Sequence, residues 1–92
     1  MDNVITNEKL EHYFKLTGRA LDLARESGNK TEIGRHDFLD MIERYYKDAQ
    51  HFKSQGDIVN AFAALSYAHG WLDAGARIGI FDVHDNKLFT VD

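Results

Sequence analysis

A glycine followed at once by an aspartate, Gly56-Asp57, separates two runs of helical periodicity and constrains the fold of this chain more than any other feature. Glycine closes a helix in a left-handed turn, and aspartate opens the next by accepting from its first free amides. So short a join forces the two helices into an antiparallel hairpin. Upstream of it, Phe38, Ile42, Tyr45, Ala49 and Phe52 step by four and three, the seam spacing of left-handed helix packing. Downstream, Ile58, Ala61, Leu65, Ala68, Leu72 and Gly75 fall on one side of a helical wheel, with Ala64 and Trp71 at its flank. The small members of that row let a neighbouring backbone come close.

A third helix precedes the hairpin. Leu10, Tyr13, Phe14, Ala20, Leu21 and Ala24 recur at helical spacing, Thr6 suits the N-cap, and Ile5 with Leu10 has the spacing of a hydrophobic staple. Gly28 is placed to end this helix in a left-handed cap. Asn29 to Arg35 reads as a connection, polar apart from Ile33. The predicted helices therefore span about 7–27, 35–55 and 57–78.

The tail, 80–92, has two apolar clusters, Ile80, Phe81 and Val83 then Leu88, Phe89 and Val91, around a turn at Asp85-Asn86. A free two-stranded hairpin is barely stable in water, so this tail must pack on the bundle or on another subunit. At 92 residues the chain is a single domain, 1–92. The expected fold class is all-α, a three-helix up-and-down bundle with a C-terminal extended strap or short hairpin.

Composition narrows the function classes. A net charge of -4, with no block of like sign, lacks the basic surplus of a wide nucleic-acid interface. Neither a disulfide framework nor thiolate zinc ligation is available without cysteine. The first residues lack the pattern of a signal peptide, and no stretch is apolar enough to span a membrane. These features together predict a soluble cytoplasmic protein.

Three constellations carry candidate chemistry. Ser66, His69, Asp73 and Arg77 lie along one lane of the last helix, where they would bind an anion or move a proton; the plainer reading is an Asp73–Arg77 ion pair. Tyr67, Gly70 and Trp71 would make an aromatic platform beside bare backbone. The alternative there is packing, with Gly70 admitting a close neighbour and Trp71 filling core. Arg44 with His51 is separated by six residues, as is Arg77 with His84. The five histidines never recur at metal-binding helical spacing, so no metal site and no cofactor is expected.

On the second helix, Asp40 with Arg44 and Glu43 with Lys47 have the spacing of stabilising ion pairs. Val59 and Phe62 share a sector with the polar lane, so something else should cover the N-terminal half of the last helix.

The segment from Tyr45-Tyr46-Lys47-Asp48-Ala49-Gln50-His51-Phe52 through Gly56-Asp57, Asn60-Ala61 and Ser66-Tyr67-Ala68-His69-Gly70-Trp71-Leu72-Asp73-Ala74-Gly75 to Gly79-Ile80-Phe81-Asp82-Val83 resembles an uncharacterised archaeal family, the domain of unknown function numbered 357. The resemblance implies a small up-and-down helical bundle of archaeal origin and no assigned activity. Gly56-Asp57, Ala61, Leu65 and Ala68 are also similar to a single tetratricopeptide-type hairpin, which implies its helix packing but not an array. The Arg44 and His51 spacing resembles that of the small helical ribonucleases of toxin systems, although Tyr45 replaces the polar residue that usually follows the arginine.

The expected function is a non-enzymatic helical interaction module that self-associates through the last helix and the apolar tail. The alternatives are a small nucleic-acid- or nucleotide-acting protein using Arg44, His51, His69, Asp73 and Arg77, and a small-ligand binder at Tyr67 and Trp71.

Overall fold

A computed structural model of the chain describes residues 5–31 and 34–90, which contain three helices: α1 (Asn7–Glu26), α2 (Arg35–Ser54) and α3 (Ile58–Ile78). Among these residues no strand forms, so the tail makes no hairpin of strands. The expectations placed on Ile33 and Val91 lie outside the described residues.

Local chemistry sets most of the helix ends. The Thr6 hydroxyl accepts from the Lys9 amide at 3.1 Å, and Ile5 packs in the same apolar cluster as Leu10, as the staple requires. Asp57 accepts from the Asn60 amide at 3.2 Å. Gly56 (φ 76°) and Gly79 (φ 85°) hold left-handed conformations that strain any residue with a Cβ.

The C-terminus of α1 departs from expectation. Gly28 is not left-handed; instead Ser27 leaves the helix in an extended conformation, and its amide and hydroxyl both donate to the Ala24 carbonyl. Further carbonyls at this end are bonded by Arg35, a residue that reads as part of a connection in sequence. Its Nη2 donates to the carbonyls of Ala24 (3.0 Å), Arg25 (3.2 Å) and Ser27 (3.0 Å), while Nη1 donates to that of Ile80 (3.1 Å). A cation at a helix C-terminus also complements the helix dipole, so a left-handed turn is not needed there.

Contacts between α2 and α3 pair in reverse order, Phe38 with Trp71 at 4.8 Å between ring centroids and Tyr45 with Tyr67 at 4.4 Å. Those between α1 and α3 run in the same order, Tyr13 with Phe62 and Thr17 with His69. Tyr13 is thus what covers Phe62, while Val59 stays 70% exposed. On the outer side of α2 the Asp40–Arg44 pair forms at 3.1 Å. Glu43 reaches across to Arg25 at 3.1 Å, in place of the expected Lys47.

The core has two parts. At one end Leu10, Phe14, Ala49, Ala61, Ala64 and Leu65 meet. At the other, Ala20, Leu21, Ala24, Ile42, Ala68 and Leu72 are joined by Ile80, Phe81, Leu88 and Phe89 from the tail. Phe81 is fully buried and lies under the Arg35 guanidinium, 5.5 Å from its ring centroid. The surface that Gly75 leaves open is filled by that ring and not by a neighbouring backbone: a Cβ there would sit 2.4 Å from Phe81. The expectation that the apolar tail supplies a contact surface is therefore corrected, since Ile80, Phe81, Leu88 and Phe89 are spent on the chain's own core.

Candidate functional site

α3 places the polar lane where its sequence spacing predicts, one helical step apart, but its neighbours divide it. Ser66, His69 and Asp73 face α1 across a cavity of about 240 Å3, to which α3 also gives Leu65 and Gly70 and α1 gives Tyr13, Leu16 and Thr17. Arg77 lies elsewhere. It lines a separate recess of about 290 Å3 with Lys30, Asp82 and His84, so the Arg77 and His84 of the second spaced pair do share a surface. His84 Nε2 is 2.9 Å from the Asp82 carboxylate.

His69 is a joint between three elements. Its Nε2 lies 2.7 Å from the Leu88 carbonyl, which can only accept, so Nε2 carries a hydrogen. Nδ1 lies 2.9 Å from the buried Thr17 hydroxyl, which donates to it when the ring is neutral. Both ring nitrogens are spent on tying α1 and the tail to α3. The structure thus assigns His69 to holding the site together. Thr17, the only buried polar side chain among the described residues, was missed in the sequence because a lone threonine on a helix carries no sign of its partner.

Asp73 directs its carboxylate across to residue 90, accepting from the Thr90 amide at 2.8 Å and its hydroxyl at 3.3 Å. It also lies 3.7 Å from His69 Nε2. These contacts give the carboxylate a structural use across to the tail, beside the ion pair with Arg77 that the spacing suggests. Each of its oxygens accepts one bond from Thr90 and retains capacity for another.

On the other side of the same helix, Tyr67, Gly70 and Trp71 do form a continuous surface. With Ser66 and Ala74 they line an open cleft of about 430 Å3. Trp71 is half-buried with its ring edge-on to Phe38, so it is part platform and part core. The packing reading of Gly70 is overturned. A Cβ at Gly70 would meet nothing within 4 Å, so no neighbour among the described residues uses the space.

Arg44 and His51 are brought to no common site with the lane. Both are exposed on α2, Arg44 paired with Asp40 and His51 beside the ring of Phe52. The carboxylates Asp37, Asp40 and Asp48 are solvated. Among the described residues no group of three histidine, aspartate or glutamate side chains could hold a metal, and no helix is long and apolar enough to cross a membrane.

One phenol is perturbed. Burial pushes the Tyr46 hydroxyl above its usual range, aided by the Asp22 carboxylate and opposed by Arg25. Its oxygen donates to the Phe14 carbonyl at 3.4 Å and closes over Gly18, where a Cβ would lie 2.8 Å from it.

A family model described as "Protein of unknown function (DUF357)" matches residues 12–81, a wider span than the segment 45–83 that carries the resemblance in sequence. No curated protein and no solved structure matches the chain.

Proposed function

The chain belongs to the family described as "Protein of unknown function (DUF357)", and from its geometry we infer that it is a non-enzymatic helical interaction module that associates with a second copy of itself. The observation that carries this reading is the surface on the α2 side of α3. Tyr67 is 52% exposed, packs with its ring tilted against Tyr45 and borders the half-buried Trp71, beside an open cleft. Tyrosine and tryptophan in such half-open settings are the residues that dominate association energies.

The same helix carries no charged side chain from Ile58 to Leu72, and Ala63, Ala74 and Ile78 continue the exposed row at helical spacing. A second helix laid along that row would bury apolar area without stranding a charge. The reading takes the chain as an up-and-down bundle with residues 80–90 as a strap, which the order of interhelical contacts and the buried tail side chains support. Because the tail is used internally, α3 alone supplies the contact surface.

Sedimentation velocity across a concentration series tests this. The wild-type protein is expected to shift from monomer to dimer, and Tyr67→Arg to remain monomeric with an unchanged helical circular-dichroism spectrum. A wild-type chain that stays strictly monomeric at high concentration refutes self-association.

A further inference from the structure

The cavity between α1 and α3 adjoins the aromatic platform, sharing Ser66 and Gly70 with it, but is set apart by Tyr13, Thr17 and Asp73, and three observations bear on what it holds. The first is Gly70. A glycine in a helix interior costs about 1 kcal/mol relative to alanine, a cost usually offset by close packing. At Gly70 a Cβ would meet nothing within 4 Å. The backbone there is bare toward open space, and Gly70 borders both this cavity and the cleft beside Tyr67.

The second is size and lining. About 240 Å3, bordered by Tyr13, Leu16, Leu65 and the Gly70 backbone, is room for a one- or two-ring aromatic molecule. The third is which polar groups remain available. His69 has both nitrogens engaged by Thr17 and Leu88, which leaves the Tyr13 and Ser66 hydroxyls and the Asp73 carboxylate at the cavity. Asp73 accepts two bonds from Thr90 and keeps acceptor capacity. The basic pair Lys15 and Arg19 lines an adjoining recess with His12, Leu16 and Leu88, on the other side of Leu16.

We propose that this cavity binds a small aromatic amine, its ring against the Gly70 backbone between Tyr13 and Leu65 and its ammonium on the Asp73 carboxylate. The apolar lining supplies affinity for the ring. The charge-assisted bond to Asp73 supplies selectivity for a cation over a neutral or anionic ring of the same shape.

The experiment is a titration of the isotope-labelled full chain with tryptamine, indole and indole-3-acetate, followed by amide chemical shifts. Tryptamine is expected to shift Tyr13, Thr17 and Asp73 saturably, indole to bind about tenfold more weakly, and indole-3-acetate not to bind. Asp73→Asn keeps an oxygen for the Thr90 amide and removes the charge, so it should lower tryptamine affinity about tenfold while leaving indole unchanged. Equal response to all three probes, no saturable shift, or shifts centred on Tyr67 and Ala74 would overturn the proposal. Should Asp73→Asn disturb the fold, Gly70→Leu, which fills the cavity without removing a bond, is expected to abolish tryptamine binding; retained binding would overturn it. Shifts on the α1 side of α3 that persist in the monomeric Tyr67→Arg variant separate this site from the association surface.

Discussion

Gly70 and Gly75 sit five residues apart on α3 and face opposite circumstances. A methyl group at residue 75 would lie 2.4 Å from the ring of Phe81, which is fully buried and has nowhere to move. Gly75→Ala should therefore destabilise the protein by about 1–3 kcal/mol through overpacking, whereas Gly70→Ala should stabilise it by about 1 kcal/mol through helix propensity. Urea denaturation of the two variants beside wild type checks both signs, and equal effects would contradict the geometry. The row Ala61, Leu65, Ala68, Leu72 shows that residue 75 faces the core, but only the return of Phe81 shows what fills the space. His69 teaches the same point: its place in the lane is legible, and its use by Thr17 and Leu88 depends on chain distant in sequence.

At the scale of the helices, ends made by local chemistry were readable. Thr6, Asp57, Gly56 and Gly79 act on amides or dihedrals within a few residues, so their types and spacing suffice. The end of α1 was not, because its cap comes from the first residue of the next helix. Arg35 satisfies three carbonyls of that end and one of the tail, and stacks on Phe81. Arg35→Met should cost about 2 kcal/mol and speed amide exchange in the last turn of α1. Arg35→Lys should recover only part, since a point ammonium cannot reproduce the planar fork. If hydrogen exchange in residues 22–27 is unchanged in Arg35→Met, the capping role is wrong.

Across the whole molecule, Tyr46 touches both halves of the core and bridges α2 to α1. Burial raises its ionisation range in the folded state, so folding favours the neutral phenol. That contribution is fully present below the unfolded value of about 10 and is lost as pH climbs through the raised folded value. Stability measured by denaturation should therefore fall more steeply above about pH 10 in wild type than in Tyr46→Phe. Parallel pH profiles for the two would show that the phenol ionises freely in the folded protein.

The number, order and approximate limits of the helices, and which face of each is apolar, were legible in the amino-acid sequence. Those properties follow from short-range rules: periodicity, caps and glycine turns. Only the tertiary structure decided where the tail goes, what caps α1, and that the polar lane of α3 splits, with Ser66, His69 and Asp73 on one cavity and Arg77 on another recess. These outcomes rest on contacts between residues far apart in the chain, His69 with Thr17, Asp73 with Thr90, Arg35 with Ile80, and a helical wheel carries no information about which neighbour arrives at a given face.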